Sequence, residues 1–143
     1  MNSIKLFIKN ILKIKDSKEA IARGVAIGFF WGVSVFWGGQ IAGAIATSYF
    51  FKGNKVISAA MTAISNPITN IPLYTFCYII GHLIVPGPDL ESVVSNLHSL
   101  KEIMNQGGSF FITMFLGTTL IGIVGAVTLY FIVKKLNLWK DKN

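Results

Sequence analysis

Apolar and small residues fill three long stretches of the chain, and charge is confined to the segments between them. Residues 24–51, 56–88 and 109–133 hold no Asp, Glu, Lys or Arg, and each exceeds the ~20 residues that carry a helix across a bilayer core. The first eighteen residues follow a different pattern. Ile4, Phe7, Ile8, Ile11 and Ile14 recur at helical spacing on one face, with Lys5, Lys9 and Lys13 on the opposite one. This predicts a basic amphipathic helix over 1–18 that lies on an anionic leaflet, where each nearby lysine contributes about 1 kcal/mol. The competing reading is an arm packed on the protein itself. With no uninterrupted apolar core, this segment does not read as a signal peptide.

A single membrane domain is expected over 19–135. Asp16 and Glu19 form a candidate capping box that starts a helix at Ala20. Residues 20–51 are too long for one straight span and too short for two, so the helix must break. Trp37-Gly38-Gly39-Gln40 is the expected break, since paired glycines give up backbone order. The second arm would rise only ~15 Å, half of a ~30 Å core, which predicts a re-entrant hairpin. Residues 56–85 repeat the theme as a proline-broken helix around Ser65-Asn66-Pro67-Ile68-Thr69-Asn70-Ile71-Pro72. A surface helix is expected over 89–105, one clean transmembrane helix over 109–133 ended by Lys134 and Lys135, and a basic tail over 136–143. The fold class is therefore an all-α integral membrane protein.

Composition agrees. The chain is 52% hydrophobic and 13% charged, about half the ~25% charge of a soluble domain. Cys77 is the sole cysteine, so no intrachain disulfide can form, and no Cys/His cluster has metal-ligand spacing; no cofactor is expected. The excess of cations, +7 net, sits at the edges of the apolar stretches. By the positive-inside rule the two termini and the Lys52/Lys55 loop are cytoplasmic, and the acidic 86–108 loop is outside. This implies the cytoplasmic membrane, with a phospholipid partner and no nucleic acid.

Small residues recur in ladders. Gly24, Gly28 and Gly32 lie four apart, Gly39, Gly43 and Thr47 form a second row, and Thr118, Gly122 and Ala126 a third. Such faces let backbones approach closely in lipid. Either the two hairpin arms pack on each other, or a ladder mates with a second copy, and a homo-oligomer is expected. No Asp or Glu occurs in 20–88 or 103–140, which argues against a carboxylate proton relay. Arg23, Gln40, Asn66, Thr69 and Asn70 are the candidate polar site. A helix starting after Pro67 or Pro72 would aim N–H groups at an anion such as phosphate. The plainer reading makes Asn66 and Asn70 end caps and has Arg23 snorkel. His82 and His98 read as interfacial. With no Ser-His-carboxylate set and no phosphate loop, the chain does not read as an enzyme.

Glu19-Ala20-Ile21-Ala22-Arg23-Gly24, Gly28-Phe29-Phe30-Trp31-Gly32, Gly38 with Gln40, Asn54, Asn66-Pro67-Ile68-Thr69, Pro72-Leu73-Tyr74 and Gly81 together resemble the bacterial membrane family "domain of unknown function 2062" over 17–85. The chain departs from that pattern at Ser34-Val35-Phe36, where the family has a proline. The resemblance implies a bacterial or plastid-type membrane origin. Relatives joined to glycosyltransferase domains would hint at lipid-linked sugar metabolism. Two functions follow as expectations: transport or a channel for an anionic or polar solute or lipid headgroup through the broken helices, or a non-transporting scaffold that binds anionic lipid and a partner protein. A channel lacks a charged filter ring.

Overall fold

The computed structural model describes residues 16–36, 38–89, 91 and 100–136, and among them every regular element is helical. Residues 1–15 of the expected amphipathic helix 1–18, with Lys5, Lys9 and Lys13, lie outside the described residues, as do residues 92–99 of the expected surface helix, including His98, and the tail beyond 136.

Helix α1, Lys18–Val33, begins at Ser17, whose hydroxyl accepts from the Ala20 N–H at 3.2 Å. The expected Asp16/Glu19 capping box does not form. Asp16 instead accepts from the Ser17 N–H and the Asn54 side chain, each at 2.8 Å, and Glu19 is drawn to cations. The chain breaks earlier than expected, at Ser34 directly after α1, and bends through Gly38, whose φ of +88° suits a residue without a Cβ. Helix α2, Gln40–Phe50, has 11 residues and rises about 16 Å.

Helix α3, Lys55–Met61, is capped by the Asn54 side chain on the Ile57 N–H at 2.9 Å and passes into a 3-10 turn, Thr62–Ile64. After a break at Ser65-Asn66 comes α4, Pro67–Ile84. Pro72, expected to break the chain again, lies inside α4; its missing N–H removes one donor near the helix start and the helix continues. Helix α5, Leu100–Lys135, runs unbroken for 36 residues. The expected division into a surface helix ending at 105 and a span starting at 109 is therefore not present: residues 100–105 already belong to α5. Within it, Gly107–Lys135 is long and apolar enough to cross a membrane, and 22% of its most apolar stretch is buried.

α5 is the spine, with α1 on one side and α4 on another, while α2 and α3 pack on α1 and on each other. Ile21, Ala22, Val25, Ile57 and Val133 form the core where α1, α3 and α5 meet. The two glycine ladders do not mate with each other. Gly24 and Gly28 face the backbone of Asn54 and Ser58, and Gly32 faces Ile64, so the glycine face of α1 is turned to α3 and the 3-10 turn rather than to α2. Gly43 lies under the Trp31 indole, which donates to Thr47 Oγ1 at 3.0 Å. Gly39 sits in the turn with open space around it, and only the Phe36 carbonyl approaches. Gly122 receives the Phe30 ring. The closest crossing joins Gly81 of α4 to Gly117 of α5: a Cβ on either would overlap the carbonyl of Thr113 or Cys77. Large apolar residues point outward, with Ile68, Phe50, Leu83 and Ile71 each more than three quarters exposed.

Candidate functional site

Gln40, Asn66 and Thr69 close helix ends. Gln40 Nε2 donates to the carbonyls of Ser34 at 2.8 Å and Gly32 at 3.4 Å, closing the orphan carbonyls at the end of α1. Asn66 Oδ1 accepts from the N–H groups of Ile68 and Thr69, and Thr69 Oγ1 accepts from the Asn66 N–H at 3.1 Å. Asn66 and Thr69 are thus a reciprocal capping box for α4. Asn70 Oδ1 is buried with no hydrogen-bond partner among the described residues. One turn later, the Tyr74 hydroxyl donates to the same Ser34 carbonyl that Gln40 uses, at 3.1 Å, so the first break is tied to α4. Beside it lies a small, mostly apolar space of about 100 Å³ against Phe115 and Thr118.

Arg23 lies elsewhere, in the second turn of α1. A groove of about 760 Å³ opens between α1, the end of α2 and α5, within the ~300–1,000 Å³ of ligand sites. Its walls are two matching helical stripes. Arg23, Ala26, Ile27 and Phe30 come from α1, and Ile123, Ala126, Val127 and Tyr130 from α5. These are the i, i+3, i+4, i+7 positions of one helix face. Thr47, Phe50, Phe51 and Lys52 close the third side.

The polar groups stand at one end. Arg23 Nη1 donates to the Phe51 carbonyl at 3.1 Å, while Nε and Nη2 reach Glu19 Oε1, each at 3.2 Å. The other Glu19 oxygen meets Lys134 Nζ at 3.2 Å, and the Tyr130 hydroxyl donates to Oε1. Lys134 Nζ also reaches the Tyr130 hydroxyl at 3.3 Å. The Tyr130 hydroxyl, then Lys134 and Arg23, hold the Glu19 carboxyl below the usual carboxylate range against a smaller desolvation effect.

Lys52 arrives by a strained turn. After α2 the Gly53 N–H bonds the Ser48 carbonyl at 2.9 Å, the Schellman closure that places Lys52 at the left-handed position where glycine is usual. Its φ is +53°. Gly53 seats the turn on α1, its α-carbon side facing Arg23 and the Gly24 N–H, and so brings Lys52 to the same rim.

Of the five residues expected to form the polar site, Gln40 sits at the Ser34 junction, Asn66 and Thr69 cap α4, Asn70 lies in the first turn of α4 with its Oδ1 buried, and Arg23 is the one of the five at the groove. Sequence reasoning missed Lys52, Tyr130 and the paired stripes. The signal was present, since Arg23 and Tyr130 each end an apolar i, i+3, i+4, i+7 row, but nothing local says that the rows face each other.

Neither a curated protein nor a solved structure matches the chain. The family model described as "Uncharacterized protein conserved in bacteria (DUF2062)" matches residues 1–143, and the chain belongs to that family.

Proposed function

We propose that the protein is a multi-pass, non-enzymatic protein of the cytoplasmic membrane, with both termini cytoplasmic, that takes an anionic lipid into the α1–α2–α5 groove and passes its headgroup across the membrane. The groove carries this reading: its depth is apolar, and among the described residues the charged ones in its lining, Arg23 and Lys52, are both cations. An amphiphile with a negative head satisfies both halves at once. The outward Ile68, Ile71, Phe50 and Leu83 and the apolar Gly107–Lys135 helix support a lipid environment. In that setting α2, at 11 residues, is a re-entrant arm, and a second copy of the chain is the partner we propose to cover its polar tip.

The scaffold is the second reading, favoured by one observation: Gln40, Asn66 and Thr69 are engaged in closing helix ends, which leaves them to hold structure. Proteoliposomes carrying a phosphatidic acid with a dithionite-reducible label on a short acyl chain separate the two. The wild type should speed dithionite quenching of inner-leaflet label, and Arg23→Gln with Lys52→Gln should lower that rate by about tenfold. Lipid binding without added flux would replace transport by the scaffold, and the absence of both would remove the groove from either role.

A further inference from the structure

Glu19 already engages the donors that a lipid phosphate in the groove would use. Its carboxylate engages the Arg23 guanidinium, Lys134 and the Tyr130 hydroxyl, and two of these line the groove. An incoming anion therefore has to compete with a carboxylate tethered in place. A phosphodiester headgroup brings one negative charge, no more than Glu19 has. A terminal phosphate monoester brings up to two above its second ionisation near ~6.

The charge count points the same way. Arg23, Lys134 and Lys52 are three cations against the single carboxylate of Glu19, so the rim carries a surplus of two positive charges. A dianion neutralises that surplus; a monoanion leaves half of it. Arg23 can present its planar fork to a phosphate in the geometry it now gives to Glu19. We infer that the groove selects lipids ending in a phosphate monoester, and that Glu19 is the built-in counter-anion that excludes phosphodiester lipids. This rests on the groove being the lipid site proposed above.

Lys52 supports the assignment independently. It is the non-glycine residue with positive φ among the described residues, and it stands where glycine would relieve the turn. A cation held there against the backbone preference is explained if its charge is needed at the rim.

The test uses the full chain in phosphatidylcholine nanodiscs at pH 8, doped with equal mole fractions of phosphatidic acid or phosphatidylglycerol. Native mass spectrometry then counts the lipids retained. The wild type should retain phosphatidic acid about tenfold more than phosphatidylglycerol. Glu19→Gln should raise phosphatidylglycerol retention and narrow the ratio to about threefold or less, while Glu19→Asp, which keeps the carboxylate, should preserve it. Equal retention of the two lipids by the wild type would overturn the monoester selectivity and leave the lipid reading standing. Retention of neither above phosphatidylcholine would overturn the lipid reading itself. A ratio unchanged in Glu19→Gln would remove Glu19 from the role, and if that variant fails to fold, a ratio unchanged in Glu19→Ala decides against it in the same way.

Discussion

Lys52 shows how one residue can be held against its local preference. A lysine in the left-handed region gives up on the order of 1 kcal/mol that a glycine would not. Its neighbours permit this because the Gly53 N–H closes on Ser48 and the Asn54 N–H closes on the Ala20 carbonyl at 2.8 Å. Lys52→Gly should therefore raise the thermal unfolding midpoint in detergent, or leave it unchanged, while it weakens anionic-lipid retention. A drop in both would show that the lysine side chain holds the turn rather than serving the groove. Arg23 is a second case of divided duty. Its Nη1 bond to the Phe51 carbonyl caps the end of α2, while the remaining donors face Glu19. That carbonyl is one of the orphans every helix leaves, so Arg23 helps fold the hairpin as well as charge the groove.

Among the elements, the contact between α4 and α5 is the tightest. Gly81 and Gly117 let the two backbones approach until each lies against the other's carbonyls, and Cys77 and Thr113 are fully buried beside them. Close packing is what holds helices together in lipid, where expulsion of water contributes nothing. Gly117→Val has no room beside the Cys77 carbonyl and should destabilise the protein by about 1–3 kcal/mol or more, as overpacking does. Gly107→Val, at a position with open space around it, is the control. Similar unfolding midpoints for the two variants would contradict the crossing. α1 follows the same logic on a different partner: its Gly24, Gly28 and Gly32 face accepts α3, whereas its Phe29 and Phe30 rings rest on Gly125 and Gly122 of α5. One helix thus offers small residues to one neighbour and large ones to the other.

At the scale of the whole molecule, polar caps close the helix breaks and exposed apolar side chains cover the outside. Such a surface suits lipid, and the proposed topology can be checked in a Cys77→Ala background with single cysteines. Ser17→Cys, Lys55→Cys and Lys135→Cys should react with a membrane-impermeant maleimide from the cytoplasmic side, and Gln106→Cys from the opposite side. Labelling of Ser17→Cys and Lys55→Cys from opposite faces would rule out a re-entrant hairpin.

How much was legible depends on the range of the interactions involved. The helical class, the hairpin with Gln40 at the start of its second arm, the break at Asn66 and the long last helix all follow from local pattern. Apolar runs, paired glycines and an Asn-Pro step act within a few residues of themselves. Where two local signals competed, the sequence did not say which would win: Ser17 took the cap from Asp16, and Pro72 stayed within α4 although it removes the donor for the Ile68 carbonyl. The partner of each face was set at longer range. The spacing of Gly24, Gly28 and Gly32 marks a close approach but is silent about whether α2 or α3 makes it. Likewise Glu19 and Tyr130, 111 positions apart, meet only because α1 lies along α5. Local pattern was enough to specify an apolar, helical, glycine-rich chain with cations at its edges. Only the tertiary structure decided that two of its stripes face each other with three cations and one carboxylate at one end, because charge and shape complementarity between distant segments has no local signature.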